Sequence, residues 1–226
     1  MKHTFFFFAF LLLALAALPA RAEIQFSIYG GANTNFSSDV TTKKGPVNST
    51  RTIDWEGKSF DMPPYWGARG TYWFEEGPKQ GWGVAVDFTH AKAYGDLNFR
   101  ADPTYYQLEF TDGLNLLIFT PMYRFAKPAE GSFVPYIGAG VGMAIPHVEV
   151  GLKAFPGNRT LEYEVSGVAA QVLAGMEYFV TPHWSLFGEG KLSYADIHGD
   201  LVGGGTIDTH VISPQLALGA TFHFGI

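Results

Sequence analysis

From residue 23 onward the chain alternates apolar and polar positions with a period of two, the mark of strands whose two faces meet different surroundings. The plainest stretch is Gly81 to Tyr94, where Trp82, Val84, Val86 and Phe88 share one face and Gly83, Ala85, Asp87 and Thr89 the other. The same test gives strands over 23–36, 65–75, 105–125, 160–180, 184–194 and 209–224. A further strand follows the turn Lys127 to Gly131, where Ile137, Ala139, Val141 and Met143 alternate with Gly138, Gly140 and Gly142. That makes eight. Long connections (37–55, 95–104, 150–159 and 197–208) alternate with turns of a few residues. The pattern predicts an all-β fold, one eight-stranded antiparallel transmembrane β-barrel with long extracellular loops and short periplasmic turns.

An eight-stranded barrel has an interior just wide enough to be filled by side chains. The inward set includes Arg69, Asp87, Gln171, Glu177, Glu189, Lys191 and His223, a mixture of signs with two readings: a paired structural core or an ion path.

The start of the chain sets the compartment. Lys2 and His3 precede an apolar run from Phe5 to Leu18, and Ala20-Arg21-Ala22 has the form of a cleavage signal. Residues 1–22 therefore read as a signal peptide and 23–226 as the barrel, destined for the outer membrane of a Gram-negative bacterium. Removing the leader leaves 13 basic against 21 acidic residues. That balance argues against nucleic acid, whose phosphates need a basic surface. There is no Cys, so any metal site must use His and carboxylates. The aromatic third from the end resembles the signal read by barrel-assembly machinery, although the chain ends in Ile226 where Phe is usual.

Candidate chemistry gathers at the extracellular rim. His90, with Lys92 beside it, ends the third strand, and His147, with Glu149 beside it, ends the fifth; parity puts both His residues on the outer face. Symmetric pairing across the fourth strand sets His90 opposite roughly Glu109 and His147 opposite roughly Thr111. Two His with carboxylates suit Zn, Fe or Mn by ligand type; the plainer alternative is an interfacial belt whose carboxylates hold the divalent cations of lipopolysaccharide. The first loop descends through Trp55, Glu56, Lys58, Phe60 and the Pro63-Pro64 pair into Tyr65. It reads either as an aromatic anchor or as a contact to acyl chains, sugars and lipid A phosphates.

At Trp55 to Gly67, Asp87 to Lys92, Leu108 to Asn115 and Tyr136 to Val150 the chain resembles the rhizobial and other alphaproteobacterial outer-membrane lipid A oxidases. These lie within the small-barrel superfamily that includes OmpA-like and OmpW-like proteins. The resemblance implies oxidation of the proximal glucosamine of lipid A to 2-aminogluconate with molecular oxygen. It assigns no catalytic residue, and a divalent metal is the cofactor the rim residues suit. On the rim residues themselves, His90, His147 and Glu109 are the expected catalytic groups, and Trp55, Glu56, Lys58, Lys92 and Glu149 the expected substrate contacts. His90, His147, Glu109 and Glu149 are the expected metal ligands. Lipopolysaccharide and outer-membrane lipids are the expected partners of a monomer. The other reading is a non-enzymatic structural, adhesive or small-solute barrel.

Overall fold

The computed structural model describes residues 22–224. The expected signal peptide falls outside the described residues except for its last position, as does Ile226. In chain order the strands are β1 (Ala22–Asn33), β2 (Ser38–Lys44), β3 (Val47–Ile53), β4 (Trp55–Glu56), β5 (Trp66–Phe74), β6 (Trp82–Gly95), β7 (Tyr105–Arg124), β8 (Phe133–Leu152), β9 (Thr160–Tyr163), β10 (Gly167–Phe179), β11 (Trp184–Asp200) and β12 (Thr206–Phe224). The antiparallel order β1-β5-β6-β7-β8-β10-β11-β12 closes where β12 pairs back onto β1, with Ile24 opposite Phe224 and Asn33 opposite Gln215. Eight strands thus form a barrel wall without a free edge, and both described ends lie at the rim of short turns.

Parity holds around the wall. Phe26, Ile28, Val86, Phe119, Val141, Val172, Leu186 and Leu218 are exposed on the outer face. Trp82, Phe125, Phe133, Trp184 and Phe224 gird the short-turn rim, as aromatic residues do where a membrane meets water. The expected inward residues Arg69, Asp87, Gln171, Glu177, Glu189, Lys191 and His223 are all buried.

Inside, charges are matched rather than merely mixed. Arg69 holds Glu189 with two bonds, Nη1 to Oε2 at 2.7 Å and Nη2 to Oε1 at 2.6 Å, and reaches Asp87 at 2.9 Å. Lys191 Nζ donates to Tyr29 at 2.7 Å, Thr89 at 2.9 Å and Asp87 at 3.2 Å, and Gln171 donates to Asp87 at 3.1 Å. A second group nearer the short turns joins Arg124 to Glu23 at 2.5 Å and to Glu75, while His223 bridges Glu23 and Glu177. A lumen void beside Arg69 and Gln25 measures about 10 Å³, room for at most one water. This is the paired-core reading of the lumen.

The upper part of the barrel departs from expectation in three places. The 37–55 segment contains the β2–β3 hairpin, with β2 pairing on β12 through Thr41 to Lys43. The 197–208 segment is mostly strand, because β11 and β12 run up to a turn at 201–205. The expected strand over 160–180 is broken into β9, which pairs with β8, and β10. Above the level of Trp66, β2, β3 and β4 stand where β1 and β5 have ended, and β9 stands in line with β10. This tier encloses an apolar core of Val40, Ile53, Trp55, Phe110, Leu114 and Ile207 among others. A membrane crossing takes about 10 residues of a tilted strand, so β7 and β8, each of 20 residues, project well beyond the bilayer.

Because Asp87 and Glu189 together balance Arg69 and Lys191, removing Asp87 leaves one buried positive charge unmatched, a loss of about 3 kcal/mol or more. Asp87→Ala should therefore lower the urea midpoint of the barrel reconstituted in vesicles. Adding Lys191→Met should recover part of the loss. Equal midpoints for wild type and Asp87→Ala would show the network contributes nothing.

Candidate functional site

The outer face of β8 marks the membrane boundary. It reads Ile137, Ala139, Val141, Met143 and Ile145, then turns polar at His147 and Glu149. Pro146 does not turn His147 inward. At that height β7 carries a bulge: Leu114 pairs with Pro146 and Glu109 with Glu149, so five steps of β7 face three of β8. Across the other edge Ala91 meets Leu114 and Ala93 meets Phe110. Two extra residues are looped out. Gly113 makes this possible, with φ +141° and no room for a Cβ, which would stand 2.7 Å from the Asn115 side chain.

The bulge carries Asp112 to β8. Its side chain lies 3.9 Å from His147 Nδ1, which is 3.1 Å from Glu149 Oε1, and the Asp112 amide points at the same Glu149 oxygen at 3.3 Å. Ligand atoms of Asp112, His147 and Glu149 all fall within 4.8 Å of one another. Around them Gln107 Nε2 bridges Glu109 at 2.6 Å and Glu149 at 3.1 Å, Thr111 donates to Glu109 at 2.6 Å, and Arg159 approaches Glu149 at 3.7 Å. The Tyr163 ring packs on His147 with centroids 4.5 Å apart, and its hydroxyl donates to the Asp112 carbonyl. Burial raises the pKa of Glu149 above the ordinary carboxylate value, and the charges of Glu109 and Asp112 add to the shift.

His90 stands apart from this trio. It lies opposite Asn115, not Glu109, because the bulge shifts the register; Glu109 instead pairs with Tyr94. His147 faces the bulge itself rather than Thr111. The His90 Nδ1–H donates to Asn115 Oδ1 at 2.8 Å, and the ring stacks on Trp66. With Nδ1 as the donor, Nε2 keeps its lone pair, and it is buried with no hydrogen-bond partner among the described residues. His90 and His147 are about 10 Å apart across two strand spacings and about 7 Å along them. A single ion held by both is not the arrangement seen. The four expected metal ligands therefore split: His147 and Glu149 are joined by Asp112, while Glu109 sits behind Gln107 and His90 on the far side of the bulge.

The remaining expected contacts divide similarly. Trp55 is not on the lipid face: it is buried in the upper core, stacked near Phe110 and donating to Ser38. Tyr65 also turns inward, to Gln215. Lys92 is buried, with Nζ donating to the Asp61 carbonyl at 2.9 Å, so its ammonium is not open to a phosphate from outside. Glu56 and Lys58 do stand at the outer rim, paired at 2.9 Å, with Lys58 over the Tyr94 ring. One cross-strand row reads Glu56, Tyr94, Glu109, Glu149, about 14 Å wide at the usual strand spacing.

Alternation alone does not single out Asp112, Asn115 or Tyr163. The Asp112-Gly113 pair inside a long strand was the available signal, since such a pair marks a turn or a break in regular pairing.

A closed barrel with an apolar belt, a charge-matched interior and polar groups beyond the belt defines an integral outer-membrane barrel. The chain belongs to the outer membrane protein beta-barrel domain family, whose model matches residues 7–224, and it is an outer-membrane protein of a Gram-negative bacterium. Among solved structures it is similar to OprG from Pseudomonas aeruginosa, at 16% identity over 89% of this chain and 96% of that one, TM-score 0.51. It is also similar to Neisserial surface protein A, at 17% identity over 90% and 97%, TM-score 0.45. The attachment invasion locus protein Ail of Yersinia pestis follows at 15% identity over 90% and 99%, TM-score 0.40. The OprG likeness shows the fold alone. A search of curated proteins returned no match.

Donors of one imidazole and two carboxylates suit Zn, Fe or Mn. Purified barrel should bind one Mn or Zn ion by calorimetry, and affinity should fall as pH drops, because protons compete with the metal for the imidazole and both carboxylates. Asp112→Asn should weaken binding at least about tenfold, the loss of one charged ligand. Binding unchanged in that variant would remove the trio as a metal site.

Proposed function

We propose that the rim site acts on the sugar headgroup of lipid A in the outer leaflet, and that its reaction is the oxygen-dependent oxidation of the proximal glucosamine to 2-aminogluconate. The observation that carries this reading is where the trio stands: outside the wall, one residue pair above the last apolar position of β8. A lipid headgroup lies at that height, and a filled lumen offers it no other approach.

In chemical terms the sugar C1 hemiacetal loses two electrons and two protons to oxygen, giving a lactone and hydrogen peroxide. Water then opens the lactone to the acid, one oxygen atom heavier than the starting sugar. A basic nitrogen is needed for the hydroxyl proton, and Nε2 of His90, which has no hydrogen-bond partner among the described residues, can supply it, while His147 stands with the carboxylates as a ligand group. The row of Glu56, Glu109 and Glu149 suits sugar hydroxyls, which donate to carboxylates. Asp112, His147 and Glu149 are the residues that would hold a divalent metal, and a redox-active one, Fe or Mn, would supply the means of reacting oxygen with a closed-shell sugar.

The second reading, a non-enzymatic barrel, is favoured by the dense internal pairing at the rim, where Gln107, Thr111 and Arg159 already engage Glu109 and Glu149. Mass spectrometry of lipid A separates the two. Cells expressing the protein in air should gain a species heavier by one oxygen, and His90→Ala, which removes the general base, and His147→Ala, which removes a ligand group, should each cut its formation at least about 100-fold. Full conversion by a folded His90→Ala, His147→Ala double variant would remove both from the chemistry. No oxidised lipid A from the wild type would leave the structural reading standing.

A further inference from the structure

The lipid-facing wall is not evenly convex. A concavity of about 620 Å³ opens on it across β7, β8, β10 and β11, with Phe119 on one side and Tyr194 on the other. Its floor holds Ala139 and Ala170, with Val141 and Val172 between the flanks. Their partners across the strands fix the arrangement: Phe119 faces Val141, Ala139 faces Val172, and Ala170 faces both Val141 and Tyr194. Two small side chains between two tall aromatic ones hollow the surface.

We propose that this hollow is a cradle for one acyl chain of the same glycolipid whose headgroup stands at the rim; the identity of the lipid rests on the function proposed above. Three observations converge on that occupant. The hollow lies at the level of the apolar band, where a ligand must itself be apolar. It shares β7 and β8 with the trio, and Val141 is six residues below His147 on one face, about 20 Å along the strand. For strands tilted by about 40° that is about 15 Å of depth, somewhat past the middle of an apolar band about 25 Å tall. A chain descending from a headgroup at His147 reaches the hollow with its distal part. The hollow is open toward lipid, with a volume of the size of organic-ligand sites, about 300–1,000 Å³.

A second copy of the barrel fits the hollow less well. A two-fold contact brings the same patch to itself, so the hollow would meet a hollow. In lipid, burial of an apolar group gains nothing over other chains, and association depends on shape; a chain filling the space between Phe119 and Tyr194 gains that contact.

Ala139→Phe and Ala170→Phe fill the floor and leave the rim intact. Native mass spectrometry of detergent-solubilised barrel, incubated with fully acylated lipid A, should show retention at least about fivefold weaker in either variant, a modest step on the affinity scale. Calorimetry with the same disaccharide stripped of its chains should show wild-type binding in both. Phe119→Ala, which lowers one flank, serves if a filled variant does not assemble, and should weaken acylated lipid likewise. Unchanged retention of acylated lipid A in the filled variants overturns the cradle. A dimer in sedimentation that the filled variants dissolve also overturns it, in favour of a second copy. Groove-dependent retention that survives His147→Ala together with Glu149→Ala would support the cradle and reject the rim as the headgroup site.

Discussion

Closing eight strands leaves a lumen that side chains must fill, and everything else in this protein follows from how it is filled. Arg69 sits at the centre, held by Glu189 on one side and by Asp87 on the other, with Lys191 sharing Asp87. Each charge there is matched, so the interior is a polar core and not a passage. Chemistry that involves an external molecule is thereby moved to the outer wall and the rim.

What the rim can do depends on one irregularity. Straight pairing of β7 with β8 would leave His147 and Glu149 without Asp112 beside them. The two residues looped out around Gly113 bring Asp112 to them and Asn115 to His90. The tall upper tier supports this from within, since Trp55, Phe110 and Val148 pack behind the bulge. Rigid apolar packing on the inner face holds a polar cluster on the outer face, at the height where β8 leaves the membrane.

Much of this was legible in the sequence, and the failures have physical causes. Alternation identified the wall, because lipid on one side and a narrow lumen on the other impose opposite demands on neighbouring residues. It also placed Glu109, His147 and Glu149 on the outer face correctly despite the bulge, since inserting two residues preserves parity. Register was lost for the same reason: parity survives an even insertion, but opposition does not, and His90 moved from Glu109 to Asn115. The β2–β3 hairpin has no strand signature in the sequence, because its inward residues include Ser38, Thr42 and Lys44, which do not look like a core face. The tops of β11 and β12 were missed because Asp196, His198 and Asp200 face water there instead of lipid, so the chemical contrast between faces reverses while the strand continues.

The central claim is that the working surface is the outer wall at the rim, in contact with lipopolysaccharide. A photoreactive benzoylphenylalanine placed at Thr111 in living cells tests it directly. Irradiation should join the barrel to lipopolysaccharide, seen as a ladder that reacts with antibody to both, while the same residue at Gln171 inside the lumen should give none. Adducts only to proteins at Thr111, or equal lipopolysaccharide labelling from Gln171, would contradict the account.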